Sequence, residues 1–282
     1  MNEQSLESHP PARQFAGACD THIHIYDPRF AARPGGLLPT IPATVADYEA
    51  VMRRLGLDRC IVVQPSAYAF DNSCTEAAIA AMGQDRARGV AMIRPDIADA
   101  ELQRLDQAGF RGARFHVGWG GDELWADLAA LAPRLADLGW QASVQFNGRA
   151  LREHFARLNT LPCPLVIEHA GNFDPVATTD EQAFRLLLRL IDNRHTWVKV
   201  SGPYGVSRTG PPDYADFSAL ATALIAHAPE RMIWASDWPH PSVRTALPDD
   251  RDLLDLLHRW APDPGIRKRV LADNAAALFG FD

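Results

Sequence analysis

Short apolar runs rich in β-branched residues alternate with amphipathic helical patterns from one end of the chain to the other. Strand-like runs fall at Cys19–Ile25, Arg59–Gln64, Gly89–Arg94, Gly112–Val117, Trp140–Phe146, Leu165–Ala170, Thr196–Ser201 and Arg231–Asp237. Cys60-Ile61-Val62-Val63 and Met232-Ile233-Trp234 are apolar at every position, as strands covered on both faces are. Between the strands, Thr44 and Asp47 read as a capping box, followed by Tyr48, Val51, Met52 and Leu55 at helical spacing and Gly56 as a stop. Ser73 and Glu76 read as a second box, closed by Gly83. Asp122 opens a helix with the stripe Leu124, Leu128, Leu131, Leu135 and Leu138, which ends at Gly139 and is expected to kink at Pro133. Phe184, Leu187, Leu188 and Ile191 line another helix, and Leu253, Leu254, Leu257 and Trp260 line one after the last strand. Strict alternation over eight strands predicts an α/β fold, a single (β/α)8 TIM barrel over residues 16–282. Residues 1–15, with Pro10 and Pro11, read as a flexible N-terminal arm.

Composition narrows the function classes. At 282 residues and 47% hydrophobic, the chain can bury one large core. A formal net charge of -7 and the lack of a Lys/Arg cluster argue against nucleic acid and against an anionic membrane as partners. No apolar run is long enough to span a bilayer, and the first residues, with Glu3 and Glu7, do not form a signal peptide. Cys19, Cys60, Cys74 and Cys163 show no CxxC spacing and read as reduced, buried thiols of a cytoplasmic protein. Nothing in the pattern distinguishes a monomer from a homo-oligomer.

In a (β/α)8 barrel the active site lies at the C-terminal ends of the strands. His22 and His24, two apart on the first strand, point the same way. Gln64, Ser66 and Tyr68 follow the second strand; Arg114 and His116 lie on the fourth; Gln145 and Asn147 end the fifth. His169 and Asn172 follow the sixth, Ser201, Tyr204 and Arg208 the seventh, and Asp237 the eighth. A lone carboxylate at the end of an apolar strand is costly to bury unless paired, which favours a site for Asp237 over an isolated helix cap. Arg114 offers a fork for a substrate carboxylate. Lys199, between Val198 and Val200, reads as one half of a structural ion pair. His9, His154, His195, His227 and His258 read as surface or capping residues, and His240 as a turn residue or part of the pocket wall.

Asp20-Thr21-His22-Ile23-His24, Glu168-His169-Ala170-Gly171, Trp197-Val198-Lys199-Val200-Ser201-Gly202, Ser236-Asp237-Trp238-Pro239-His240 and Asn274-Ala275-Ala276-Ala277-Leu278-Phe279 together resemble the amidohydrolase superfamily. More narrowly they resemble its 2-pyrone-4,6-dicarboxylate lactonase and sugar lactonase group, over nearly the whole chain from Ala18 to Phe281. The resemblance implies a distorted barrel that hydrolyses carboxylate-bearing lactones without a bound metal. It implies catalytic roles for His22, His24, His169 and Asp237, carboxylate binding by Arg114 and Arg208, and substrate contact near Ser66. Gln145 and Tyr204 join the expected substrate-binding set from their strand-end positions. The group carries a further arginine shortly after the position of Arg114; here the segment reads Val117-Gly118-Trp119-Gly120-Gly121, which speaks against the pyrone dicarboxylate itself.

The expected chemistry follows. Asp237 takes a proton from water attacking the lactone carbonyl, while His22, His24 and His169 donate to the carbonyl oxygen. No cofactor is expected; the alternative is one zinc ion held by His22, His24, His169 and Asp237. Against it stand Gln145 on the fifth strand, where metal-dependent relatives place a histidine, and the guanidinium of Arg114. The rival functions are an aldarate lactone isomerase that migrates an acyl group, a zinc-dependent hydrolase or decarboxylase, and a catalytically dead binding module.

Overall fold

The computed structural model describes residues 15–117, 121, 123–174, 176–179, 181–244 and 246–281. Eight parallel strands form one sheet in sequence order: β1 (Cys19–Ile23), β2 (Arg59–Val63), β3 (Ala87–Ala91), β4 (Phe110–His116), β5 (Gln141–Gln145), β6 (Leu165–Ile167), β7 (Thr196–Val200) and β8 (Met232–Trp234). Eight longer helices follow the strands: α1 (Val45–Leu55), α2 (Ser73–Met82), α3 (Asp99–Gln107), α4 (Glu123–Asp137), α5 (Leu151–Asn159), α6 (Gln182–Ile191), α7 (Ala215–His227) and α8 (Asp250–Trp260). This is the (β/α)8 barrel that the alternating pattern predicts. All four cysteines are buried. Among the described residues no helix is long and apolar enough to cross a membrane.

The ring closes between β8 and β1 largely through the loop after β8. Ile23 bridges to Trp238, His24 N–H donates to Trp238 O at 2.8 Å, and Asp237 N–H donates to His22 O at 3.0 Å. The buried carboxylate of Asp20 clasps the seam, accepting from Ser236 N–H at 3.0 Å, Ser236 Oγ at 2.5 Å and Tyr48 Oη at 3.1 Å. Burial pushes Asp20 up to about 7 against these donors.

Cys19, Ile61, Val63, Val90, Val166, Trp197 and Ile233 form one cluster drawn from six strands, which only the barrel interior permits. Ala275, Phe279 and Phe281 join it and plug the end of the barrel away from the histidines. The opposite faces of the strands pack on the helices, where Tyr48, Met52, Leu55, Leu128, Leu131, Leu135, Leu253, Leu254 and Leu257 are buried as their spacing predicts. The Thr44–Asp47 box is present, and Gly56 takes the left-handed conformation (φ 71°) that ends α1.

Several details differ from the expectation. β3 starts at Ala87 and ends at Ala91. β6 and β8 stop short of their expected ends; within the expected spans His169 (φ 50°), Ala170 (φ 52°) and Asp237 (φ 66°) take left-handed conformations that a strand ladder cannot contain. The Ser73–Glu76 box does not form: Ser73 is already helical and binds Asp71 Oδ1, and Glu76 pairs with Arg104 at 2.7 Å. Helix α4 runs on through Pro133. The start proposed at Asp122, Gly118 to Gly120 of the segment without an arginine, and the arm up to Gln14 lie outside the described residues. Phe15, assigned to the arm, packs against the core.

Candidate active site

Period two along each strand decides which side chains enter the barrel. On β7, Trp197 points in and so does Lys199; on β6 and beyond, Val166 and Glu168; on β4, Arg114 and His116. On β1 the register with β2 shifts between Asp20 and Ile23. Cys19 lies in the interior cluster, and the shift brings His22 and His24 inward although they have the opposite parity. Re-aiming of this kind is what a strand irregularity beside an active site does.

Three groups meet in the mouth. His22 Nε2 lies 3.2 Å from His24 Nε2. Asp237 Oδ1 lies 3.4 Å from the first and 3.7 Å from the second. The tautomers follow from the other ring nitrogens. His24 Nδ1 is 2.7 Å from the Val63 carbonyl, which only accepts, so Nδ1 carries the proton. His22 Nδ1 is 2.7 Å from Glu168 Oε2 and donates there. Burial holds both imidazoles well below their ordinary range; at His22 the Glu168 charge opposes this, and at His24 the neighbouring His22 and Arg114 reinforce it. Two neutral rings therefore turn two lone pairs and a carboxylate oxygen toward one point. With Nδ1 of each ring facing an acceptor, the geometry favours Nε2 as an acceptor, in contrast to the expected donation by His22 and His24 to a carbonyl oxygen.

Beneath the cluster, Lys199 Nζ donates to Glu168 Oε1 at 3.1 Å, with both side chains fully buried. Burial alone would raise Glu168, but His22 and Lys199 beside it reverse that and hold it well below the carboxylate range. Lys199 is thus the ion-pair partner its sequence position suggests, and Glu168 is the residue that sequence reasoning passed over. The signal was available: an acid two positions after an inward Val166 on a buried strand must meet a cation or a donor.

His169 joins from β6, its ring 5.1 Å from that of His22 and its Nδ1 3.0 Å from Ser201 Oγ. A Cβ at Gly202 would lie 3.0 Å from His169 Nδ1, so glycine there leaves room for the ring. Arg114 is held from two sides, by Gln64 O at 3.2 Å and Gln145 Oε1 at 2.8 Å, with its Nε lacking a partner. Gln145 therefore orients Arg114 rather than standing free for a substrate. Burial pushes nearby His116 down to about 3, with Arg114 adding to the effect. Arg94, after β3, also went unread in the sequence; it shares with Arg114 a cleft of about 420 Å³.

The remaining candidates divide. Tyr204 Oη donates to Asp237 Oδ2 at 2.5 Å, which places it on the acid. Ser66 opens a helical turn after β2 and its carbonyl accepts from Arg33. Arg208 is not brought to the cluster: its N–H is bound to Asp216, and its exposed side chain makes no contact with the site among the described residues. His240 is buried and bonded to Asp250 at 3.0 Å.

Zinc bonded at about 2.0–2.1 Å in a tetrahedron sets its ligand atoms about 3.3 Å apart, which the three spacings match. His22, His24 and Asp237 therefore fit such an ion, with one open position.

The chain has relatives among known proteins over most of its length. The chain is 39% identical to the D-galactarolactone isomerase of Agrobacterium fabrum over 93% of its own length and 91% of the relative's. It is 33% identical to the 2-pyrone-4,6-dicarboxylate hydrolase of Comamonas testosteroni, covering 96% and 93% of the two chains. An apo crystal structure of a protein from Agrobacterium tumefaciens superposes with a TM-score of 0.88 at 38% identity, over 94% of this chain and 96% of that one. The amidohydrolase family model matches residues 19–281, a span that takes in every strand of the barrel and every member of the cluster, and on that ground the chain belongs to the amidohydrolase family.

Proposed function

We propose that the protein hydrolyses a lactone bearing a free carboxylate, with Asp237 as general base and without a catalytic metal. The observation that carries this reading is the meeting of Asp237 Oδ1 with two imidazole nitrogens whose protons are committed elsewhere. Such a point is built to receive the hydrogens of a hydroxyl nucleophile. A water molecule there donates one hydrogen to Asp237 Oδ1 and the other to His22 Nε2. Its oxygen attacks the lactone carbonyl as Asp237 takes the proton. The oxyanion meets His169, whose Nδ1 lies 3.0 Å from Ser201 Oγ; in this reading Ser201 donates there, and the Nε2–H stabilises the oxyanion. Collapse breaks the ring C–O bond, and the departing alkoxide recovers the proton from Asp237. The new carboxylic acid loses its proton to solvent.

Arg114 binds the free carboxylate and so sets the carbonyl against the nucleophile. The segment Val117–Gly121 offers no second arginine, so any second substrate carboxylate would fall to Arg94, which shares the cleft with Arg114. The metal-free reading is supported by Arg114 and Lys199, whose positive charges already bear on His24 and His22 and oppose a dication. His22, His24 and Asp237 would hold a zinc ion were one bound, and the chemistry it would supply is Lewis-acid polarisation of the carbonyl.

The 39% identity to a lactone isomerase favours a second reading, in which the substrate's own hydroxyl replaces water and the acyl group migrates. A panel of aldonic, aldaric and pyrone lactones, followed by pH indicator and by NMR in oxygen-18 water, tests both. Hydrolysis releases protons and puts the label into the product carboxylate; migration yields an unlabelled lactone isomer. No turnover of any carboxylate-bearing lactone would contradict both readings.

A further inference from the structure

We infer that Tyr204 is the positioning residue for the base Asp237, an inference that rests on the lactone reading above. Its phenol donates to Asp237 Oδ2 at 2.5 Å, while the other oxygen, Oδ1, is the one that faces His22 and His24. The two oxygens are thus sorted: one is held, one works. The sorting matters because Asp237 stands in a left-handed turn (φ 66°) beyond the end of β8: its backbone is tied to His22 O on β1, and Tyr204 holds its side chain.

Tyr204 is itself fixed. It sits in the helical turn Pro203–Val206 after β7. Its ring meets the buried His240 edge to face, with centroids 5.0 Å apart, and His240 is tied to Asp250 at the start of α8. Burial and the Asp237 charge hold the phenol well above its ordinary range, so it stays a donor. The sequence expectation that Tyr204 binds substrate gives way to a role exerted through Asp237.

The test is Tyr204→Phe, measured beside Asp237→Asn on whichever lactone the panel identifies. Loss of one hydrogen bond to a charged acceptor should lower kcat about tenfold or more and leave KM within about twofold. The acid limb of the kcat/KM profile should move to higher pH, because the carboxylate has lost a donor. Site-specific 3-fluorotyrosine at position 204, a stronger donor of nearly the same shape, should move that limb the other way and covers the case in which the phenylalanine variant fails to fold. A raised KM with unchanged kcat would return Tyr204 to substrate binding and overturn the inference. So would an acid limb unmoved in both variants. If Asp237→Asn turns over normally, the lactone mechanism fails first and this inference falls with it.

Discussion

Replacing Glu168 by glutamine probes both the stability and the chemistry of the interior. Glu168 accepts from His22 Nδ1 at 2.7 Å and from Lys199 Nζ at 3.1 Å, and all three side chains are fully buried. With no solvent to screen it, the Lys199 ammonium would be left without its counter-charge, and breaking a buried pair in this way costs about 3–5 kcal/mol. For a chain of this size that corresponds to a fall in Tm of roughly 6 °C or more. The amide also presents an N–H where His22 Nδ1–H now donates. The ring would have to move its proton to Nε2, aiming a hydrogen at Asp237 in place of a lone pair. A wrong tautomer beside a catalytic group costs about a hundredfold or more in kcat. Glu168→Gln combined with Lys199→Met leaves no buried charge unpaired and should recover most of the stability; it also frees the amide oxygen to accept from His22 Nδ1–H, so part of the turnover should return. Chemical denaturation and steady-state kinetics on the three proteins read both effects. A single variant destabilised by less than about 1 kcal/mol, or one as active as wild type, would refute the reasoning.

Arg114→Met should raise KM for a carboxylate-bearing lactone at least about tenfold and leave a lactone without that carboxylate unaffected; an equal effect on both would remove Arg114 from carboxylate recognition. Folding stability should fall as pH drops from about 6.5 toward 5, because His22, His24 and His116 are held neutral in the fold and take up protons only on unfolding, each contributing up to about 1.4 kcal/mol per pH unit. Asp20, raised to about 7, acts in the opposite sense, so Asp20→Asn should steepen the loss; denaturation midpoints that stay level across this range would contradict the assignment. Exhaustive chelation should leave lactone turnover intact, and activity lost on chelation and restored by zinc would replace the metal-free mechanism.

Strand count, order and the mouth quartet were legible because each rests on local information. Apolar runs report strands, and a polar residue at the end of such a run reports the mouth. What period and propensity do not carry is which hydrogen goes where. His22 and His24 read equally as donors or acceptors until Val63 O and Glu168, distant in sequence, fix their protons. Tyr204 and Gln145 were placed in the mouth correctly, yet their partners turned out to be protein groups, Asp237 and Arg114. The Ser73–Glu76 box failed for a similar reason: Arg104, on another helix, captures Glu76. Left-handed turns at His169 and Asp237 lie inside the expected spans of two strands, and neither position carries a glycine to announce a positive φ.

The central claim, that Asp237 activates the nucleophile at a lactone carbonyl, is tested most directly by kcat/KM of Asp237→Asn on a carboxylate-bearing lactone. The substitution keeps the shape of the side chain and an oxygen for the bond from Tyr204, and removes the negative charge and with it the capacity to take a proton. A loss of about a hundredfold or more with an unchanged fold is the predicted result. Wild-type turnover by that variant would contradict it.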